Sequence, residues 1–258
     1  MDANRQRFSS ALRGESPRVI VTRPVSDAST FADMVAAAGM VPVLSPAMEI
    51  VFQPQPVSFD GVRAVIFTSA NGVRALQRAV IPAAIPALPA FAVGSASAEA
   101  ARAAGFREVI AAKGDVASLA ALIGSYGLRG TALHVGGRDL AGDLAGILSA
   151  AGVEARRIAL YVTEPVARLS AAAEAMLAAP SPKDWATFFS PRTVRLFIEQ
   201  ARASGVTDGL GSLRAACLSG AVAEAAANVS WAGLKVAAEP SAEAMIDAML
   251  EANIPARS

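Results

Sequence analysis

One repeated pattern constrains this chain more than any other. The stretch FTSANGVR at 67–74 returns as FFSPRTVR at 188–195, aligning Phe67 with Phe188, Ser69 with Ser190, Val73 with Val194 and Arg74 with Arg195. The segments that follow also match, since Val93-Gly94 ahead of Ala98-Glu99 resembles Leu218-Ser219 ahead of Ala223-Glu224. The opening segment VTRPVSDASTFADMVAAAG (21–39) has its counterpart elsewhere, at the end of the middle stretch, in HVGGRDLAGDLAGILSAAG (134–152). The order is cyclically shifted. The C-terminal part lacks the kind of unit that opens the chain, so the N-terminal unit completes it.

Each copy alternates short β-rich runs with Ala-rich segments of helical length, the pattern of parallel sheets covered by helices. The candidate strands are RVIVTR, RAVIFTS, AFAVG, EVIAA, TALHVG, WATFFS, RAACLS and KVAAE. A chain of 258 residues, 53% hydrophobic, is long and apolar enough to bury two cores. The expected fold class is α/β, with two parallel-sheet domains joined by a two-stranded antiparallel β linker and the first domain discontinuous. Residues 18–46 with 165–258 form the first domain, 54–155 the second, and 47–53 with 156–164 the linker strands. Both crossings follow an Ala-Ala-Gly helix end, a glycine C-cap signal.

Several functions are disfavoured. The net charge is +1 without a basic block, so nucleic acid is not expected as a partner. The uncharged run at 79–98 is broken by Pro82, Pro86 and Pro89 and reads as a proline-rich loop leading into a strand, not as a membrane span. Residues 1–17 carry Asp2, Arg5, Arg7, Arg13 and Glu15 and no apolar run; they read as a flexible extension, not a secretory leader, and the expected compartment is the cytoplasm. Cys217 is the sole cysteine and reads as a small buried hydrophobe. No dinucleotide or P-loop fingerprint follows a strand. One cysteine and one histidine cannot assemble a Cys/His metal site, so neither metal nor cofactor is expected. His134, the sole histidine, reads as a partly buried, hydrogen-bonded imidazole.

The chain turns small and polar where its strands end. The candidate binding residues are Thr22 and Arg23; Thr68, Ser69 and Asn71; Gly94 and Ser95; Gly136, Gly137 and Arg138; Ser190 and Arg192; and Ser219 and Gly220. Two readings stand side by side. Hydroxyls here cap helix N-termini, each cap being worth about 1 kcal/mol. In open parallel sheets the carboxyl ends of the strands are also where ligands bind, and amide-rich helix starts lining a cleft between domains suit carboxylates. Tyr161, in IALYVTEP on the returning crossing, is the candidate catalytic residue, because a phenol ordinarily keeps its proton at neutral pH and can donate it. A tyrosine that merely packs on the hinge is the other reading.

Taken in order, VTRP (21–24), FTSANGVRAL (67–76), AVGSASAEAARAAG (92–105), IALYVTEP (158–165), FFSPRTVRLF (188–197) and VAAEPSAEAMIDAML (236–250) resemble the uroporphyrinogen-III synthase family over about residues 18–252. The resemblance implies two α/β domains on a two-stranded ladder. It also implies a cofactor-free lyase reaction in the cleft between them: the linear tetrapyrrole hydroxymethylbilane has its D ring inverted, loses its hydroxyl as water and closes to uroporphyrinogen III through a spiro intermediate. On this resemblance Tyr161 assists departure of the hydroxyl. The hydroxyls and backbone at Thr68, Ser69, Ser190 and Ser219 contact substrate, and the protein is a monomer that meets the preceding pathway enzyme transiently. LSGAVAEA (218–225) departs from the Gly-Pro-x-Thr-like turn of many members, which weakens a side-chain role at that loop and leaves backbone contacts from Ser219 and Gly220.

The rival reading from another class is a non-catalytic two-domain small-ligand binding or sensor protein. A nucleotide-dependent transferase is a third.

Overall fold

The computed structural model describes residues 16–79, 87–112, 116–139, 143–150 and 152–252. The expected proline-rich loop over 80–86 and the expected extension up to residue 15 lie outside them. By packing, the chain divides into two compact units, one up to Glu49 and again from Pro165, the other Ile50–Glu164.

The first unit is built on a five-stranded sheet. Its strands are β1 (Arg18–Val21), β2 (Val41–Leu44), β9 (Trp185–Phe188), β10 (Arg214–Cys217) and β11 (Gly233–Val236), in the spatial order β11-β10-β9-β1-β2. All four pairings are parallel. Alternation along β1 sends Val19 and Val21 to one face and Ile20 to the other. Helices α1 (Val25–Ala37) and α9 (Ala242–Ala252) cover the first face through Phe31, Val35, Met245 and Met249. Helices α6 (Ala171–Ala178), α7 (Pro191–Ala203) and α8 (Gly220–Ala226) cover the second through Met176, Phe197 and Val222.

The second unit carries a six-stranded sheet of β3 (Met48–Phe52), β4 (Val62–Phe67), β5 (Ala90–Ala92), β6 (Val109–Ala111), β7 (Gly130–Gly137) and β8 (Val153–Pro165), in the order β3-β8-β7-β4-β5-β6. From β8 to β6 every pairing is parallel. Helices α2 (Ala70–Ala79) and α3 (Ser95–Ala103) pack on one face with Phe67, Leu133 and Leu160. Helices α4 (Val116–Tyr126) and α5 (Leu144–Ala150) pack on the other with Ile66, Phe91 and Ala132.

The two orders are the same once the chain is cyclically permuted. β2-β1-β9-β10-β11 corresponds to β8-β7-β4-β5-β6, and the sequence repeat aligns β1 with β7 and β9 with β4. Each is the doubly wound order whose switch point, where connections leave in opposite directions, falls between the central pair: β1 and β9, or β7 and β4.

The stretches that lead into and out of the expected linker strands belong to the sheets. Val41–Leu44 forms the edge strand of the five-stranded sheet, and Val153–Tyr161 is ladder-paired with β7, so only the last residues of β8 extend past that ladder. Within the first unit the two passages are tied down by Gln200, which is 1% exposed. Its amide nitrogen donates to the Pro46 carbonyl at 3.1 Å and the Val166 carbonyl at 2.9 Å. With two carbonyls to satisfy, the site needs an amide donor there; a carboxylate would be repelled.

Candidate active site

At the β4–β7 switch point the sheet ends in two polar pairs, one on each face. Ile66 faces the α4/α5 side and Phe67 the α2/α3 side, so alternation carries Thr68 toward the first and Ser69 toward the second. Thr68 Oγ1 lies 3.3 Å from His134 Nε2, and Ser69 Oγ lies 2.9 Å from the Tyr161 hydroxyl. The Ser69 oxygen also accepts the Gly72 N–H at 3.3 Å, which caps α2.

His134 sits inside β7, 8% exposed. Burial, reinforced by the charge of Arg157, pulls its pKa down to about 4, so the imidazole is neutral near pH 7. Arg157 donates to the Gly137 carbonyl and, at 3.1 Å, to the Arg138 carbonyl, holding the end of β7 in place.

Tyr161 reaches its position through a β-bulge. Gly136 pairs with Ala159 but Gly137 with Tyr161, leaving Leu160 as the extra residue on β8. Without it Tyr161 would share the face of Val153 and Ala155; with it the ring packs beside Leu160 on the α2/α3 side. Two glycines make room. A Cβ on Gly137 would stand 2.6 Å from Tyr161 Cε2, and one on Gly136 3.2 Å from His134 Nε2. The Arg138 N–H donates to the Tyr161 carbonyl at 2.8 Å, and its guanidinium donates to Gln53 Oε1 at 2.9 Å.

The remaining candidates of this unit sit at helix starts. Asn71 is buried in the first turn of α2 and accepts from Arg74 Nη1 at 2.5 Å. Gly94 caps α3 in an extended conformation, and Ser95 is exposed behind it.

In the first unit the strand ends are occupied differently. Thr22 is 0% exposed, and its hydroxyl donates to the Thr187 carbonyl at 2.5 Å, while Thr187 Oγ1 donates to the Ile20 carbonyl at 2.9 Å. That corrects the expectation of a substrate-facing Thr22 side chain: its hydroxyl clamps β1 to β9 and is closed to solvent. Arg23 lies with its guanidinium 4.5 Å from the Phe189 ring centroid; burial lowers its pKa, and Asp27 partly offsets this. Ser190 caps α7, accepting from the Thr193 N–H at 3.2 Å and bonding Thr193 Oγ1 at 2.8 Å. Arg192 is half-buried in the first turn of the same helix. Ser219 caps α8 through its backbone, its carbonyl accepting from the Ala223 N–H at 3.0 Å, and its hydroxyl makes no capping bond; Gly220 is exposed.

The structure therefore brings together Thr68, Ser69, Gly136, Gly137, Arg138 and Tyr161, and adds His134 and Arg157 to them. Arg157 escaped sequence reasoning; the paired arginines inside the apolar run VEARRIAL were the available signal. Cys217 is buried, with its thiol pushed up to about 11, and takes no part. Among the described residues no three His, Cys, Asp or Glu gather as a metal site.

No curated protein matches the sequence. In fold the chain is similar to a uroporphyrinogen-III synthetase from Helicobacter pylori, with TM-score 0.64 and 16% identity over 93% of this chain and 100% of that one. It is also similar to a mutant uroporphyrinogen III synthase from Thermus thermophilus, with TM-score 0.50 and 19% identity over 92% of this chain and 97% of the other. These likenesses speak for the fold. Membership rests on the sequence, which matches the family model of uroporphyrinogen-III synthase HemD over residues 29–247. With most of the chain inside that match, the protein belongs to the uroporphyrinogen-III synthase family.

Proposed function

We propose that this lyase closes hydroxymethylbilane to uroporphyrinogen III with Tyr161 as the proton donor. The observation that carries this reading is the Tyr161 hydroxyl, held 2.9 Å from Ser69 Oγ at the carboxyl-end switch point of a parallel sheet. The phenol gives its proton to the departing hydroxyl, so the C–O bond breaks with water as the leaving group. The methylene left behind is electrophilic and is attacked by the D ring through its already substituted carbon, giving the spiro intermediate. The bond from that carbon to its original bridge then breaks and re-forms at the ring's free position, whose proton returns to the phenolate, so that one water is lost overall. Unaided closure gives the other isomer, and each tenfold of preference requires about 1.4 kcal/mol of differential transition-state stabilisation. That stabilisation comes from holding the polycarboxylate substrate in one folded shape.

The carboxylates are taken by backbone N–H groups and side chains at the strand ends: Thr68, Asn71, Gly94, Ser95, Gly136, Gly137 and Arg138 in one unit, Arg23, Ser190, Arg192, Ser219 and Gly220 in the other. Ser69 takes part through its backbone, its hydroxyl being engaged. Arginine forks and helix-start amides are suited to this ligand.

The same proposal makes 47–53 and 156–164 the linker strands, because the chain passes from one unit to the other only near Glu49 and Pro165. Small-angle scattering with and without product tests this, an unchanged profile counting against a hinge. A cytoplasmic monomer completes it; no described helix is long and apolar enough to cross a membrane, and sedimentation at working concentration tests the monomer.

The reaction is tested by generating hydroxymethylbilane in situ, adding the protein, oxidising the product and separating porphyrin isomers. Isomer III is expected to dominate; isomer I alone from a folded sample would overturn the reading.

A further inference from the structure

We infer that Ser69 is a positioning residue for Tyr161, fixing where the phenol points and steadying the oxygen once its proton has gone; this rests on the proton-donor reading above. Three separate features converge on one ring. The bulge at Leu160 turns Tyr161 onto the α2/α3 face, the absence of a Cβ at Gly137 leaves the space the ring occupies, and the Ser69 hydroxyl meets the phenol oxygen at 2.9 Å. A ring that only filled space would need the first two. The third fixes the oxygen rather than the ring.

Ser69 is itself anchored. It is the residue directly ahead of α2, and its oxygen accepts the Gly72 N–H at 3.3 Å, so the helix start sets the hydroxyl's position. A hydroxyl held in this way can donate to the phenol oxygen, leaving the phenol's own proton free for transfer, and the same bond becomes charge-assisted, and stronger, once the phenolate has formed. The Ser69 hydroxyl therefore acts through Tyr161 and not as a carboxylate ligand.

The test joins a spectroscopic arm to a kinetic one. The chain has two tyrosines, Tyr126 and Tyr161. With tyrosine labelled at the ring carbon that bears the hydroxyl, Tyr161→Phe assigns the two signals. Ser69→Ala is expected to move the Tyr161 signal and leave that of Tyr126, and Ser69→Thr to restore it; an unmoved Tyr161 signal in folded Ser69→Ala would overturn the inference. In turnover, Ser69→Ala is expected to lower kcat about tenfold with KM within about twofold, one hydrogen bond's worth. In the Tyr161→Phe background the same change should cost nothing further, and an equal tenfold loss there would also overturn it. Gly137→Ala, which pushes on the ring and leaves the Ser69 cap intact, should reproduce the kcat loss. Should Tyr161→Phe alone leave turnover untouched, the proton-donor reading falls, while the labelled signals still decide whether Ser69 holds the ring.

Discussion

The two sheets have the same strand order, and their equivalent strand ends do different work. In the second unit Thr68 and His134 form a polar pair; the positions aligned with them in the first unit are Phe189 and Val21, an aromatic ring under the Arg23 guanidinium and a fully buried aliphatic. Ser69 and Ser190 are aligned as well, and both sit directly ahead of a helix. Ser190 spends its oxygen on Thr193, within its own helix, whereas Ser69 reaches a phenol from another strand. The strand aligned with β8 is β2, which ends at Leu44 and contributes no aromatic there. The same frame thus carries a capped, cation-bearing surface in the first unit and, in the second, the Ser69–Tyr161 hydrogen bond on which the proposed proton-donor role rests.

The largest expected effect breaks the difference at His134. Its pKa is about 4 in the fold against an ordinary value near 6.5, so below pH 6.5 the unfolded chain binds the extra proton and stability falls as pH drops toward 4. The loss is absent above that window and grows to the order of 3 kcal/mol at its lower end. His134→Val, which installs the residue of the first unit, should flatten the slope between pH 6.5 and 5 in denaturant titrations; identical slopes would contradict the burial argument. Next, Tyr161→Phe is expected to lower kcat about 100-fold with little change in melting temperature, as read by initial rates and isomer ratio. Thr22→Val tests the clamp that has no polar counterpart in the second unit, where Val135 is aligned with it. It should destabilise by about 1–2 kcal/mol by removing a buried hydrogen bond and leaving the Thr187 carbonyl without that donor, measured by chemical denaturation. The smallest effect is that of Ser190→Ala, about 1 kcal/mol for the lost cap.

Much of this was legible in the sequence, and the reasons are local. β1, β4 and β9 announced themselves as β-branched or aromatic runs ending in polar residues, β10 as a short apolar run ahead of Ser219, and the cyclic repeat carried the correspondence between the two sets of units. Val41–Leu44 was not among the candidate strands, because a four-residue run that carries Pro42 gives little to distinguish an edge strand. Gly233 opens β11 two residues before the stretch KVAAE suggested, since a glycine start carries no β signal. Tyr161 stood out by its position, yet its partner did not: Ser69 lies 92 residues away, and the contact depends on a bulge that breaks the period-two alternation on which any strand reading relies. The Thr22 hydroxyl was misread for the related reason that a strand-end threonine facing a neighbouring carbonyl looks, in sequence, like one facing solvent.

The measurement that tests the account most directly is a paired kinetic comparison of Ser69→Ala and Ser190→Ala on hydroxymethylbilane, with kcat, KM and isomer ratio read for each. The account predicts that the first lowers kcat with KM nearly intact and that the second raises KM with kcat largely retained. Equal losses of kcat in the two variants would contradict it, since the aligned serines would then be doing the same work.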